Sequence, residues 1–183
     1  ARIESLIKIF DTIPYETVKK QTAKEIVKES FKDLDKSEIA KIMKDIEKFE
    51  GFKKEMIDKN EKEYGNEIRE RFGAAAIDAS NAKVMGLTPN QYKEEQLLSK
   101  QINELLKEAF EEGNPASQKS QKVCTLHKEW LEYFWNNYTK EAHLGLAKAY
   151  VSDPRFKKYY DDIEDGCAEF LRDAIAIYCK ETL

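Results

Sequence analysis

Apolar residues recur along this chain at helical spacing. Ile3, Leu6, Ile7 and Phe10 fall at i, i+3, i+4 and i+7, one face of a short helix that Pro14 ends, because proline cannot donate to the helical ladder. Tyr15, Val18, Thr22 and Ile26 predict a second helix reaching about Ser30. Asp35, with Glu38 three residues on, has the form of a reciprocal cap opening a third helix with the face Ile39, Ile42, Met43, Ile46 and Phe49. A bend is expected at Gly51, after which Phe52, Met56, Tyr64, Ile68 and Phe72 carry a looser stripe to a glycine stop at Gly73. From Gly73 to Thr88 the periodicity fades, and the small, polar run AAAIDASNAKVMG predicts a short helix and a loop with thin packing.

The second half is better marked. Thr88, Pro89 and Gln91 supply an N-cap, a first-turn proline and a reciprocal cap, and Leu98, Ile102, Leu105 and Ala109 continue the helix to Gly113. Asn114-Pro115 is expected to start the next helix, on which Val123, His127, Trp130, Leu131, Phe134 and Tyr138 form one broad face over residues 123–138. Thr139 caps a helix through Tyr150, Ser152-Asp153-Pro154 restarts the chain, and Phe156, Tyr159 and Tyr160 form a short helical turn. Asp165-Gly166 precedes a last amphipathic helix carrying Phe170, Leu171, Ala174, Ile175 and Tyr178. The pattern predicts an all-α fold without internal repeats or linker tracts.

Composition agrees. Only 7 glycines and 4 prolines occur in 183 residues, while 36% of the chain is charged. The formal charge of -4 and the interleaving of lysines with acids argue against a basic nucleic-acid surface. The longest strongly apolar run, AIAIYC, is far short of the roughly 20 residues a membrane span needs. Three cysteines, an odd number without a CxxC pair, and an N-terminus without signal-peptide order point to a reducing cytoplasm. The opening on Ala rather than Met suggests an excised piece of a longer protein.

Catalytic chemistry finds little support. Cys124 and His127 lie three apart and could share a helix face as nucleophile and base, but no orienting carboxylate lies a turn away and no glycine-rich oxyanion turn is near. Three cysteines and two histidines lack the paired spacing of a zinc site. The run Asp161 to Gly166 has calcium-loop acids at its first and fifth places, but Ile163 stands at the third and Arg172 at the twelfth, so it reads instead as a turn with acids near the next helix start. No phosphate-cradling glycine motif occurs. What remains is a density of large rings between Trp130 and Tyr178. A helical core accounts for most of them, yet Tyr133 and Trp135 lie off the Trp130–Phe134 stripe, and such surplus rings suit a cleft for drug-sized ligands. Both readings stay open.

Four segments in the same order carry a resemblance: EIRERFG (Glu67 to Gly73), the His127/Trp130 helix, Glu141 to Phe156 with YVSDPRF, and FLRDAI (Phe170 to Ile175). Together they make residues 49–183 similar to the TipA-type antibiotic-recognition domain of MerR-family transcriptional activators. The resemblance implies a globin-like helical fold that encloses a thiopeptide or other hydrophobic antibiotic, with no catalysis, cofactor or metal, and N-terminal helices that order around the ligand. Residues 1–48 are less similar; RIESLIKIFDTI looks like the end of a MerR-type dimerisation helix, which would permit a homodimer. DNA would be contacted only through an N-terminal helix-turn-helix domain absent from this sequence, and no membrane is implied. A stand-alone drug-sequestering protein and a protein-interaction module are the alternatives.

The family's thiopeptide-binding prototype captures its ligand through a cysteine, and the alignment set by YVSDPRF puts Gly145 at that position. Reversible, non-covalent binding is therefore expected. For the cleft the candidates are Trp135, Tyr138, His143, Tyr150 and Phe156, with Trp130 and Tyr178 as supporting core; His143 can donate or accept a hydrogen bond near neutral pH.

Overall fold

The computed structural model describes residues 35–180, which form seven helices and no strands: α1 (Lys36–Phe72), α2 (Ala74–Gly86), α3 (Pro89–Glu112), α4 (Gln118–Leu131), α5 (Lys140–Ser152), α6 (Pro154–Asp161) and α7 (Cys167–Lys180). The fold is all-α, as the periodicity predicts. The helices expected over Ile3–Phe10 and Tyr15–Ser30 lie outside the described residues. No helix among the described residues is long and apolar enough to cross a membrane. The chain divides between Tyr92 and Lys93 into two compact units.

In the first unit, α1 opens on the expected reciprocal cap: Ser37 and Glu38 donate their backbone N–H to Asp35 Oδ1 at 2.7 and 2.9 Å, and Asp35 N–H donates back to Glu38 Oε2 at 3.2 Å. The helix then runs unbroken through Gly51, where a bend was expected. Gly51 costs about 1 kcal/mol of propensity, too little to stop a 37-residue helix capped at both ends. Gly65, in the same helix, leaves room for the Glu61 carboxylate, whose Oε2 would lie 2.5 Å from a Cβ at that position. Glu61 accepts from Arg69 Nη2 at 2.7 Å and from Asn81 Nδ2 of α2 at 2.6 Å, while Arg69 also pairs with Asp78 of α2 at 2.8 Å. Gly73, with φ of 87°, makes the sharp exit, its N–H donating to Arg69 O.

Between Gly73 and Thr88, where a short helix and a loop are expected, helix α2 takes up nearly the whole stretch. Its full burial is confined to Val84, which is why the hydrophobic periodicity fades here and the helix extends further than the pattern marks. Polar contacts hold it instead. Lys53, almost fully buried, donates Nζ–H to the carbonyls of Met85 at 2.6 Å and Leu87 at 2.9 Å, so a cation closes the carbonyl end of α2. Glu50 neutralises that cation at 2.7 Å, and the Phe49 ring lies 4.7 Å beneath it.

In the second unit α7 packs against α5, α4 and α6, and α5 against α6. Ile102, Leu106 and Ala109 of α3 join this core. Ala147 of α5 and Ala168 and Ala174 of α7, all essentially inaccessible, let the backbones approach closely. Most of the predicted starts hold: Thr88 and Gln91 cap each other, Thr139 accepts from Ala142 N–H, and Asp153 caps α6 with Pro154 in its first turn. Asp161 accepts from Ala168 N–H at the start of α7, the expected role of that acidic turn.

Two boundaries differ from expectation. Asn114-Pro115 forms a turn, with Asn114 Oδ1 accepting from Ala116 N–H, and α4 begins only at Gln118, capped by Ser117. At its other end α4 stops at Leu131, whereas the ring spacing predicted helix through Tyr138. Tyr133 and Phe134 donate to carbonyls three residues back, at Trp130 and Leu131, so the last turn tightens and unwinds ahead of Asn136-Asn137. Phe134, Trp135 and Tyr138 therefore sit in an irregular segment.

The Leu106 side chain is 0% exposed, and Leu97, nine residues before it on α3, is 58% exposed. Leu106→Ala should lower unfolding free energy by about 3 kcal/mol, with Leu97→Ala changing it by less than about 0.5 kcal/mol. Urea denaturation of both variants would measure the difference.

Candidate functional site

Two histidines, each on a separate helix, meet in the core of the second unit. His127 of α4 and His143 of α5 stack with ring centroids 4.9 Å apart and planes 7° apart, and His127 Nδ1 lies 2.8 Å from His143 Nε2. Their outer nitrogens are also engaged: His143 Nδ1 is 2.9 Å from the Tyr138 hydroxyl, and His127 Nε2 is 3.0 Å from the Tyr150 hydroxyl. The chain extends at both ends, since Tyr150 bonds Tyr160 and Tyr138 bonds Cys179. Six side chains from α4, α5, α6, α7 and the 132–139 segment thus share one polar thread through an apolar interior.

Burial, reinforced by the neighbouring ring, pulls His127 down to about 3, and burial alone pulls His143 down to about 4. Both imidazoles are neutral at pH 7, with one donor and one acceptor each. The link between them then fixes the whole thread. If His143 donates from Nε2, His127 must donate from Nε2 to Tyr150 and Tyr138 must donate to His143; if His127 donates from Nδ1, every bond reverses. Burial also raises the phenols of Tyr138, Tyr150 and Tyr160. With both nitrogens of His127 spent on His143 and Tyr150, the Cys124/His127 dyad does not form, and burial pushes the Cys124 thiol up to about 12.

The five sequence-predicted residues fall into two groups. His143 and Tyr150 are buried links of the thread. Tyr138, half-buried, ends the histidine run, and Trp135, also half-buried, lies beside it with centroids 6.4 Å apart and planes tilted 30°. Phe156 stands 6.0 Å from Tyr150 and is 40% exposed. Tyr178 packs against the core with its ring 6.2 Å from His143. Trp130, expected as core support, is half-buried and donates its indole N–H to Glu95 Oε1 at 2.6 Å.

Glu95 escaped the sequence reading. It sits on the same α3 stripe as Leu98, Ile102, Leu105 and Ala109, an acid at an apolar position, and that misfit is the signal that could have found it. Tyr160 and Cys179 likewise gain their roles only through partners distant in sequence.

The histidine pair makes stability depend on acid. Unfolded histidines take up protons near pH 6.5, whereas the folded pair resists protonation until about pH 4 or below, so the unfolded state binds more protons in between and stability falls as pH drops. Going from pH 7 to pH 5 should cost about 2 to 4 kcal/mol in urea denaturation. Imidazole resonances of the folded protein should stay in their neutral positions across that range; a ring titrating near pH 6.5 would contradict the buried thread.

Comparison with known proteins places these residues in a family. The profile of the TipAS antibiotic-recognition domain matches residues 64–178, from the last turns of α1 to Tyr178 in α7, and takes in every member of the thread except Cys179. The chain is similar to the HTH-type transcriptional activator mta of Bacillus subtilis (strain 168), with 21% identity over 131 residues, 72% of this chain and 51% of that protein. It is also similar to the HTH-type transcriptional activator TipA of Streptomyces coelicolor and of Streptomyces lividans, 29% identical to each over 131 residues, 70% of this chain and 50% of each relative. The chain thus spans about half the length of the curated relatives it matches. No solved structure matches it. With the profile covering more than half of its length, the chain belongs to the TipAS antibiotic-recognition domain family.

Proposed function

We propose that this chain is the drug-binding effector domain of a MerR-type transcriptional activator, holding a hydrophobic antibiotic reversibly against the rings that follow α4. The observation that carries the proposal is the position of Trp135 and Tyr138: half-buried, inside the antibiotic-recognition match, with Tyr138 bonded to His143 and Trp135 beside it. Stacking on these rings and burial of apolar ligand surface would supply affinity. His143 and Tyr150 serve as the rigid floor that orients Tyr138, and Phe156 offers a further exposed ring on the Tyr150 side. The relatives' names, HTH-type transcriptional activators, favour an activator whose DNA contacts are made by a helix-turn-helix domain; in this reading it works in the cytoplasm and that domain precedes residues 1–48. In this reading residues 1–48 connect and pair two copies, and residues 49–183 bind the drug; α1 crosses that division without a break.

Non-covalent binding is favoured by the thiols. Burial raises Cys124 to about 12 and Cys167 to about 11, and raises Cys179 as well, so none is poised as a thiolate at pH 7. Gly145 is exposed on α5, and a Cβ there would meet nothing within 4 Å. A thiol at that position is therefore sterically free.

Titration of the full chain with a dehydroalanine-bearing thiopeptide should quench tryptophan fluorescence reversibly, and Trp135→Ala should weaken binding about tenfold or more. Intact-mass spectrometry should find no adduct on the native sequence and one adduct per chain on Gly145→Cys. A stoichiometric adduct on the native sequence would refute reversible capture.

A further inference from the structure

A second feature of this domain points to the charge of its ligand. Glu95 is only 4% exposed, yet no Lys or Arg pairs with it among the described residues. Its two oxygens accept from neutral donors, the Trp130 indole N–H at 2.6 Å and the Gln96 side-chain amide at 2.6 Å. Two neutral hydrogen bonds satisfy part of a carboxyl group's acceptor capacity and supply no counter-charge, so the group lacks the partner a buried acid ordinarily has. The phenol of Tyr133 is raised by burial first, then by Glu94, with Glu95 a smaller contributor.

The surroundings select among cations. Trp130, Tyr133 and Phe134 are half-buried around the end of α4, and the Trp130 and Phe134 rings lie 4.9 Å apart with planes tilted 58°. Donation of the indole N–H to an anion pushes electron density onto the ring and strengthens its attraction for a cation on its face. A hydrated divalent ion would need several oxygen ligands, and no group of three or more metal-ligating side chains occurs among the described residues. Lys128, two residues before Trp130, is engaged elsewhere, with Glu132 at 2.6 Å and the Tyr138 ring at 5.1 Å. Aromatic faces backed by one buried carboxylate fit a weakly hydrated, lipophilic organic cation.

We propose that Glu95 and Trp130 form a cation-recognising subsite, so that the domain prefers aromatic ligands carrying a delocalised or quaternary positive charge over neutral ones of the same shape. The proposal rests on the drug-binding reading above. Glu95 supplies the charge complement, Trp130 the π face and the hydrogen bond that holds the carboxylate in place.

The test uses the full chain and two probes of similar shape, tetraphenylphosphonium and neutral triphenylphosphine oxide, with a neutral thiopeptide as reference, each followed by calorimetry. The native protein should bind the phosphonium at least tenfold more tightly than the oxide. Glu95→Gln should remove most of that preference while changing oxide and thiopeptide binding by less than threefold. Trp130→Phe, which keeps a ring but loses the indole N–H, should lower phosphonium affinity selectively and provides a second variant should Glu95→Gln fail to fold. Equal affinity for the two probes, or a Glu95→Gln loss that is the same for both, overturns the proposal. Binding of the thiopeptide with neither small probe bound overturns it too but leaves the drug-binding reading standing; binding of none of the three overturns both.

Discussion

The second unit depends on one constraint: a polar thread buried in its core must be satisfied at every link and carry no net charge. Each imidazole has a single proton to give, so the His127–His143 contact dictates the direction of the bonds to Tyr138 and Tyr150. An extra proton would place an unpaired cation in a site from which both histidines' pKa values already retreat. The thread also decides geometry. It fixes α4 against α5, ties α5 to α6 through Tyr150 and Tyr160, and pins the non-helical segment after α4 through Tyr138. That last bond puts Trp135 and Tyr138 where they are.

The two units achieve order by different means. In the second, apolar contacts among α3, α4, α5 and α7 surround the thread. In the first, α2 contributes one buried apolar residue and is held mainly by polar contacts: Arg69 on Asp78, Glu61 on Asn81, and Lys53 on the carbonyls at its end. An amphipathicity argument sees the first kind of helix and misses the second, because a lysine or an arginine counts as a surface residue until its partners are known. Glu95 is the same error in the second unit. Its place on an apolar stripe is visible in the sequence, but its meaning depends on Trp130, 35 residues away.

Apart from Asn114-Pro115, which forms a turn ahead of the Ser117 cap, local chemistry was legible where the partners lie within one helical turn. Asp35 with Glu38, Thr88 with Gln91, Thr139, and Asp153 with Pro154 all start helices as read, and Gly73, Gly113 and Gly166 take the positive φ that ends or joins them. The ends set by the surroundings were not. The rings at 130, 134 and 138 keep helical spacing, yet the helix stops at Leu131 and Tyr138 reaches His143 from an irregular segment. The spacing reported which residues face inward, and an irregular chain can meet that demand as well as a helix.

By itself, then, the sequence determined the helical class, most of the helix starts and the family, since caps, glycine exits and ordered motifs are encoded by residues a few positions apart. Tertiary structure alone decided which polar side chains became partners. His127 meets His143 across 16 residues and Tyr150 across 23, and no local rule ranks those pairings above others the same side chains could make. Burial then gave the groups their character. It holds the histidines neutral, keeps the thiols protonated and sets Glu95 against neutral hydrogen-bond donors in place of a cation among the described residues. A side chain's desolvation is set by everything packed around it, and only the folded chain brings those atoms together.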